Sequence, residues 1–546
     1  MKNLITSFIF CFLFGECFPQ AGEWTWIKGD SIPNQAGSYG VQGVPSPTNN
    51  PPSLYEPCEW TDLNGNFWLF GGGNLTVRND LWKFNPLFNE WTWMKGSGMP
   101  YDSGSFGIQG VPSPTNNPPA LSWAMASWTD NIGNLWMFGG TNSNGTGGVQ
   151  NALWKYNISS NEWTWMKGSD SLSPVGFYGI QGISAPTNNP SGRNESAAAW
   201  TDDTGDLWLF GGNYFNTNNG ISYNLNDLWR YNISSNQWTW IKGSEFQNQA
   251  GTYGVMGVEN IINTPEARMV YSHWKDVDGN LWLFGGRDTD VIFFNDFWKY
   301  NINSNNWAWM GGDSSGNAIS IYGTKCLPSF NNMPGARFEN RAEWKDQSGN
   351  FWFFGGGDGI GGSFSNLWND LWQYCFATNK WIWINGDNIS NPLGNWGTLG
   401  TSSPTNKPNG RGGAVGWSDN NGHFYMFGGT NLNGGYNDLW KFTVDITCGV
   451  CPTSTSIQEN NFNNELLVFP NPTNSSITIS FQSSSNQTIE LRIYNTLGKQ
   501  IYLEKAAITA GKYEKEINVK KLSDGIYFLQ VKMKEGNINR KVIINH

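Results

Sequence analysis

The sequence predicts an all-β protein, and three observations support this fold class. Charged residues make up only 14 % of the 546 residues, whereas Gly (67), Trp (32) and Phe (33) are abundant. This composition is typical of short, tightly turned strands that pack through aromatic faces rather than of helices. In addition, short aromatic motifs recur along most of the chain with the period of two that strands require.

Six Gly-Gly pairs mark an internal repeat. Successive pairs are separated by 68, 72, 74, 70 and 73 residues. Each pair ends an apolar segment such as residues 67–70, where glycine permits a positive φ or a close backbone approach. The pairs are Gly71-Gly72, Gly139-Gly140, Gly211-Gly212, Gly285-Gly286, Gly355-Gly356 and Gly428-Gly429.

Three further motifs each recur six times along the chain and, together with the Gly-Gly pairs, define a four-stranded unit. In the first repeat, Trp60-Thr61-Asp62 ends strand a, and the Gly-Gly pair ends strand b. Asp80-Leu81-Trp82 then indicates strand c, and Trp91 with Trp93 indicates strand d. Four strands that recur with similar sequence predict one blade of a β-propeller, because a small sheet must stack against neighbours to bury both faces. Six copies therefore predict six blades.

The phase of the repeat predicts how the ring closes. The chain starts with a strand-d motif at Trp24 and Trp26, and the sixth repeat, residues 411–442, lacks one. We therefore predict that the N-terminal strand is the outer strand of the last blade. This arrangement removes the open ends of the array.

The order of these motifs closely resembles that of kelch repeats over residues 22–443. The resemblance implies a kelch-like propeller, although kelch units usually have about 50 residues. The excess lies in a loop between strand d and the next strand a, and four copies of this loop keep a Pro-Thr-Asn motif. Because the d–a and b–c connections share one rim, we expect them to form one broad binding face.

The N-terminus has the pattern of a secretory signal peptide over residues 1–21. Lys2 precedes an apolar run over residues 4–14, which is too short to span a bilayer comfortably. Cleavage after Cys17 and cleavage near Ala21 both fit the sequence. No later segment is apolar for the roughly 18 residues of a spanning helix, so we expect no transmembrane segment.

The C-terminal tail is predicted to be a separate module. Residues 444–464 have the character of a linker, and residues 465–546 contain no tryptophan. Lys and Arg number 11 and Asp and Glu 7 in this tail, so its net charge of about +4 opposes about −14 for the rest of the chain.

Four motifs in the tail resemble the type A sorting domain of the type IX secretion system. They are LVFPNP at 467–472, IYNTLG at 493–498, LSDGIY at 522–527 and KVII at 541–544. The resemblance implies a small β-sandwich that directs periplasmic cargo across the outer membrane of Bacteroidetes-type bacteria. It therefore implies the type IX machinery as a partner and a secreted or outer-surface location.

Several classes of chemistry are disfavoured by the composition. The net charge of −10 and the pI near 5.0 leave no general basic surface for nucleic acid or anionic membranes. The only three histidines lie in different repeats or at the terminus, which disfavours a metal site, a catalytic triad and the copper site of some kelch-like oxidases. We expect no cofactor. The single CxxC motif predicts a local disulfide between Cys448 and Cys451.

Two groups of residues are candidate ligand contacts. Arg193, Arg268, Arg337 and Arg411 recur at the start of strand a, near the central channel. Their repetition also favours a structural interpretation, in which they pair with carboxylates such as Glu195, Glu266 or Glu339. The second group consists of aromatic residues outside the repeated strands, in the variable b–c segments: Tyr214, Phe215, Tyr223, Phe293, Phe294, Phe364 and Trp368.

These observations favour a secreted or surface-displayed binding propeller that recognises protein or glycan. This hypothesis is based on the absence of a recognisable set of catalytic residues in the sequence together with the expanded loops. A carbohydrate-active enzyme is the main alternative, and paired carboxylates in one cleft would favour it. A structural component of the cell surface is a third.

Overall fold

The fold of the described residues consists of strands and turns without helices. The computed structural model describes residues 22–74, 76–142, 147–195, 198–289, 291–329, 331–359, 366–445, 448, 451, 466–483, 485–495, 499–533 and 536–546. The predicted signal peptide and most of the predicted linker lie outside these residues. Within the described part, no helix has the length and apolar character to cross a membrane. The chain divides into two compact units, residues 1–451 and 452–546.

The described residues of the first unit form six four-stranded antiparallel sheets, which we call blades 1 to 6. β1 (Glu23–Lys28) precedes blade 1, which contains β2 (Cys58–Thr61), β3 (Phe67–Phe70), β4 (Leu81–Asn85) and β5 (Glu90–Lys95). Blade 2 contains β6 (Ala126–Thr129), β7 (Leu135–Phe138), the added hairpin β8 (Thr141–Asn142) and β9 (Gly148–Val149), β10 (Leu153–Asn157) and β11 (Glu162–Lys167). Blade 3 contains β12 (Ala198–Thr201), β13 (Leu207–Asn216), β14 (Ile221–Asn232) and β15 (Gln237–Lys242).

The remaining blades repeat the same order. Blade 4 contains β16 (Ser272–Lys275), β17 (Leu281–Phe284), β18 (Phe297–Asn301) and β19 (Asn306–Gly311). Blade 5 contains β20 (Ala342–Lys345), β21 (Phe351–Gly357), β22 (Leu367–Cys375) and β23 (Lys380–Asn385). Blade 6 contains β24 (Val415–Ser418), β25 (Phe424–Phe427), the small hairpin β26 (Thr430–Asn431) and β27 (Gly434–Gly435), and β28 (Leu439–Thr443).

The first strands of the blades surround a common centre. β2 contacts β6, β6 contacts β12, β12 contacts β16, β16 contacts β20, β20 contacts β24, and β24 contacts β2 again. This closed cycle is the geometry of a β-propeller, with strand a on the inside and strand d on the outside. The predicted fold class is confirmed.

Blade 6 is completed by the N-terminal strand. β1 pairs antiparallel with β28 and places Trp24 opposite Phe442 and Trp26 opposite Trp440. Trp24 is buried, with its ring centroid 5.0 Å from that of Phe442 and 5.5 Å from that of Phe354 in blade 5. The first strand therefore closes the sheet and also fills the contact between the last two blades, which confirms the predicted closure.

The Gly-Gly pairs bring neighbouring blades together. The N–H of Gly72 donates to the carbonyl of Leu121 in the next blade at 2.8 Å, and each of the other five repeats has the equivalent bond. Both glycines of this pair have positive φ, 65° and 82°. A Cβ on Gly71 would lie 2.5 Å from the Leu121 carbonyl oxygen, so a side chain would push the blades apart.

The C-terminal unit has two antiparallel sheets. The first contains β29 (Leu467–Phe469), β30 (Ser476–Ser483) and β33 (Gly511–Asn518), and the second contains β32 (Gln500–Ile508), β31 (Gln487–Asn495), β34 (Gly525–Met533) and β35 (Gly536–Ile544). Alternate residues of both sheets, such as Ile477 and Ile479 from β30 and Leu529 and Val531 from β34, form one buried core. This is the predicted β-sandwich.

The predicted disulfide between Cys448 and Cys451 is wrong. Cys448 is bonded to Cys326 and Cys451 to Cys375, with Cα–Cα distances of 4.8 and 5.5 Å. Both partners belong to the region of blade 5, so the segment after the last propeller strand is tied to the neighbouring blade. Cys58 is buried and free.

Thiol mapping of the secreted protein tests these pairings. Alkylation of the unfolded, unreduced chain is expected to label Cys58 alone, and proteolysis should give peptides that link Cys326 to Cys448 and Cys375 to Cys451. Recovery of a peptide containing an internal Cys448–Cys451 bond would contradict the structure.

Candidate functional site

The four arginines predicted as ligand contacts are buried in ion pairs instead. Each pairs with the aspartate of the Asp-Leu-Trp motif in its own blade, and the side chains involved are at most 1 % exposed. The prediction that these arginines bind a ligand is therefore wrong, whereas the structural interpretation is confirmed with aspartates in place of the glutamates that were named as partners. The pairs are Arg193–Asp227, Arg268–Asp296, Arg337–Asp370 and Arg411–Asp438.

Each of these aspartates joins three segments of its blade. In blade 3, the two oxygens of Asp227 accept bidentate hydrogen bonds from Arg193, each 2.9 Å long. The hydroxyl of Tyr178, in the d–a loop, donates to the same carboxylate at 2.8 Å, and the indole N–H of Trp229 donates at 2.7 Å. Such bidentate, charge-assisted bonds fix the relative orientation of the groups they join.

Blade 2 lacks this network and has apolar residues in its place. Leu121 stands where the arginine would be, Ala152 replaces the aspartate, and Phe106 replaces the tyrosine. Phe106 still packs on Trp154, with ring centroids 5.0 Å apart.

Blade 1 is intermediate, because Leu54 replaces the arginine while the hydroxyl of Tyr39 still donates to Asp80 at 2.6 Å. The network is therefore replaced by apolar residues in part in blade 1 and completely in blade 2, which indicates a role in packing within the blade.

The aromatic residues predicted as contacts divide into buried and half-buried groups. In the long β13–β14 hairpin, Tyr214 is buried and its hydroxyl donates to the carbonyl of Ser173. Phe215 and Tyr223 are half-buried beside it.

The other predicted aromatic residues lie in blades 4 and 5, between or in strands b and c. Phe293 and Phe294 are each 2 % exposed, so the prediction of ligand contact is wrong for them as for Tyr214. Trp368 is partly buried with the Arg337 guanidinium 4.7 Å from its ring centroid, and Phe364 lies outside the described residues. Phe215, Tyr223 and Trp368 retain exposed surface and stay predicted contacts.

The repeated loops fold along the outer strand of the blade that follows them. In blade 1, the side-chain amide of Asn49, from the Pro-Thr-Asn motif, donates to the carbonyls of Trp91 and Val44 at 3.1 Å. Ser46 forms a backbone bridge to Trp91. The loop thereby covers the edge of strand d, where another chain could otherwise pair. Because they lie along strand d, these loops form less of the face made by the d–a and b–c connections than the sequence predicts.

The same loops expose pairs of aliphatic side chains in four consecutive blades. The pairs occupy equivalent positions after the tyrosine or phenylalanine that recurs in each of these loops. They are Val41 and Val44, Ile108 and Val111, Ile180 and Ile183, and Val255 and Val258.

A ring of backbone hydrogen bonds surrounds the centre where the first strands begin. The N–H of Glu56 donates to the carbonyl of Gly413, and Gly413 donates to Glu339. The chain of bonds continues from Glu339 through Val270 and Glu195 to Trp123, and the N–H of Ala124 closes it onto Glu56. One segment from each blade therefore meets at the axis.

Glutamates occupy alternate positions of this ring. Glu56, Glu195 and Glu339 come from blades 1, 3 and 5, and each contributes a carboxylate oxygen within 4.8 Å of the other two. Glu56 is 0 % exposed and Glu339 is 4 % exposed, while Glu195 is partly exposed. In blade 6, Gly413 leaves room for the aromatic ring of Tyr55, whose hydroxyl donates to Glu339 at 2.6 Å.

The electrostatics of this cluster oppose full ionisation. Burial and the neighbouring carboxylates of Glu339 and Glu195 raise the pKa of Glu56 well above its usual range. Burial, followed by Glu339, raises the pKa of Glu195 to about 8, although Arg287 and Arg341 act in the opposite direction. Burial also raises the pKa of Glu339.

A second group of charged residues lies on the first strands next to the ring. Arg341 donates to both oxygens of Glu59, at 3.1 and 2.9 Å. His273 lies 3.0 Å from Glu343, and burial together with Arg341 lowers the pKa of this histidine to about 3. His273 is therefore neutral at physiological pH and hydrogen-bonds to Glu343.

Trp123 is an exposed aromatic residue of the ring that the sequence predictions missed. Its carbonyl accepts the N–H of Glu195, yet its side chain is 43 % exposed. It lies outside the five repeated tryptophan positions, one each in strands a, b and c and two in strand d, which is the signal that could have identified it. Its backbone is bonded to that of Glu195, so an exposed tryptophan and a partly exposed glutamate are neighbours in the ring, at the rim that carries the d–a and b–c connections.

The C-terminal unit matches a known family. Residues 467–545 fit the family model described as the secretion system C-terminal sorting domain. The tail is a type IX sorting domain. It marks the protein as one exported to the cell surface or the extracellular space, which confirms the predicted location and the predicted route.

Two solved structures are similar to most of the chain at low identity. One is described as "Structure of YjhT", with 14 % identity over 73 % of this chain and 96 % of that chain, and a TM-score of 0.41. The other is described as "Novel fungal alcohol oxidase with catalytic diversity among the AA5 family, in complex with copper", with 10 % identity over 94 % of this chain and 100 % of that chain, and a TM-score of 0.41.

The apolar residues that replace the ion-pair network in blade 2 suggest a test of how much the buried ion pair stabilises blade 3. Asp227→Ala is expected to destabilise the propeller by about 3–5 kcal/mol, because it leaves Arg193 buried and unpaired. The triple variant Arg193→Leu, Asp227→Ala, Tyr178→Phe reproduces the residues of blade 2 and should recover most of this loss. Chemical denaturation of both variants measures the difference, and a triple variant no more stable than the single one would contradict the structural role.

Proposed function

We propose that this exported chain is a binding propeller that recognises glycan or protein at the centre of its loop-bearing rim. The observation that carries the proposal is Trp123, whose indole is exposed next to the axis. Most other tryptophans are used for packing within and between the blades. An exposed tryptophan fixed by a backbone bond offers a large, rigid contact surface at low entropic cost.

The surroundings of Trp123 suit a polar ligand. Glu195 follows it in the ring and offers a carboxyl group that can hydrogen-bond to hydroxyl groups. The flat indole face can pack on the apolar face of a sugar ring. A protein ligand would in addition contact the exposed aliphatic pairs of the loops, since exposed apolar surface marks interaction sites.

A glycan-cleaving enzyme is the second candidate, and the axial carboxylates favour it. A carboxyl group with a pKa near 8, such as Glu195, is protonated at neutral pH and can act as a general acid. Glycosidases use two carboxyl groups about 5–10 Å apart. Against this alternative, Glu56 and Glu339 are buried, so only Glu195 is accessible to a substrate.

Screening the mature full-length chain against glycan and extracellular-protein arrays tests the proposal. For any ligand found, Trp123→Ala is expected to weaken binding by about tenfold or more, the loss typical of a central tryptophan. Phe88→Ala is the matched control, because Phe88 is also exposed but lies in the c–d turn at the opposite end of blade 1. Equal affinity of Trp123→Ala and the wild type would contradict the proposed site.

Product analysis of each glycan ligand separates the two candidates. Binding without release of fragments supports the binding propeller. Fragments that appear with the wild type and disappear with Glu195→Gln would establish the enzyme instead. Failure to bind every ligand tested would favour a structural role at the cell surface.

A further inference from the structure

We propose that Glu56, Glu195 and Glu339 hold one calcium-sized divalent cation at the axis of the propeller. The three side chains converge from alternate blades, and the backbone ring fixes their positions. Carboxylate oxygens are the ligands that hard divalent cations prefer. Glu195 also belongs to the proposed binding surface, but calcium binding can be measured without a rim ligand, so the two proposals can fail separately.

The hydrogen bonding of Glu56 indicates that a partner belongs in this site. Glu56 is completely buried, and neither of its carboxylate oxygens accepts a hydrogen bond from a donor group; its contact with the Glu339 carboxyl is a hydrogen bond only when one of the two carries a proton. One oxygen of Glu339, which faces it, also has none. A buried carboxylate without a partner is costly, and coordination of a metal ion is one of the few ways to satisfy it.

The charge balance of the axis agrees with a divalent ion. Four carboxylates (Glu56, Glu59, Glu195 and Glu339) face two guanidinium groups, those of Arg287 and Arg341, which leaves two negative charges. The His273–Glu343 pair adds no net charge, because burial lowers the pKa of His273 to about 3 and raises the pKa of Glu343 well above its usual range. One divalent cation would neutralise the remainder.

The dimensions favour calcium over magnesium. Two oxygens 4.8 Å apart can be bridged by calcium, whose bonds to oxygen are roughly 2.3–2.6 Å long, but not by magnesium, whose bonds of about 2.0–2.1 Å span at most about 4.2 Å. Glu195 is partly exposed, which gives the ion a path from solvent. Extracellular modules commonly bind calcium with dissociation constants of about 0.1–1 mM.

The alternative occupant of the cluster is a proton shared between Glu56 and Glu339, and calcium titration of the full-length mature chain distinguishes the two. After treatment with EDTA, isothermal titration calorimetry with calcium chloride is expected to show one site with a dissociation constant of about 1 mM or lower. Saturating calcium should raise the melting temperature by about 3 °C or more, because the ion binds only the folded chain.

Glu195→Gln is the variant of choice because it keeps the shape of the least buried ligand. It is expected to weaken calcium binding by about tenfold or more and to remove the thermal shift. Glu245→Gln, which changes an exposed glutamate in a d–a loop, is the matched control and should behave as the wild type. Absence of saturable binding, binding that Glu195→Gln leaves unchanged, or an equal shift with magnesium would each overturn the proposal.

Anomalous diffraction from crystals grown with calcium provides a check that needs no variant. A peak among the three carboxylates is expected, and its absence would also overturn the proposal.

Discussion

The hydrogen bond from the second glycine of each Gly-Gly pair to the next blade holds the inner ends of the blades together. Its acceptor is the carbonyl of the residue that starts strand a, Leu54, Leu121 or one of the four buried arginines. In blade 3, the side chain of that same residue, Arg193, reaches back to its own blade and donates to the carbonyl of Gly211 and to Asp227. A single residue therefore couples one blade to the previous one through its backbone and stabilises its own blade through its side chain.

Blade 2 indicates what the buried charges contribute. With Leu121, Ala152 and Phe106, it keeps the same strand order and the same glycine bond to blade 3 without an ion pair. A buried ion pair is often no more stable than apolar residues of similar size, since removing two charges from water is costly. The arginine–aspartate pairs therefore act mainly on geometry, because a bidentate pair allows fewer arrangements of loop and strand than an aliphatic contact does.

Much of the fold was predictable because the sequence repeats its strand signals six times. The Gly-Gly pairs, the Asp-Leu-Trp motif and the alternating tryptophans each mark one strand, and the unpaired strand at Trp24 indicated how the ring closes. The site residues were less predictable for a physical reason. Arg193 and its equivalents resemble a ligand cluster in sequence, but their partners lie about 30 residues away on strand c and become visible only when the strands pair. The disulfide prediction was wrong for a similar reason, since Cys448 lies three residues from Cys451 but bonds to Cys326 across the contact between two blades.

The residues that remain for function are those that depart from the repeat. Equivalent residues of the axial ring share a backbone role, yet their side chains are Glu56, Trp123, Glu195, Val270, Glu339 and Gly413. Packing alone would favour small apolar residues where the ring is crowded and shielded from water, as it is around Glu56 and Glu339. Three converging carboxylates raise the energy of the folded chain unless a cation or protons compensate for them. An exposed tryptophan beside them adds nothing to the core. Selection for stability does not account for either feature, so the axis is the place where the propeller departs from a purely structural design.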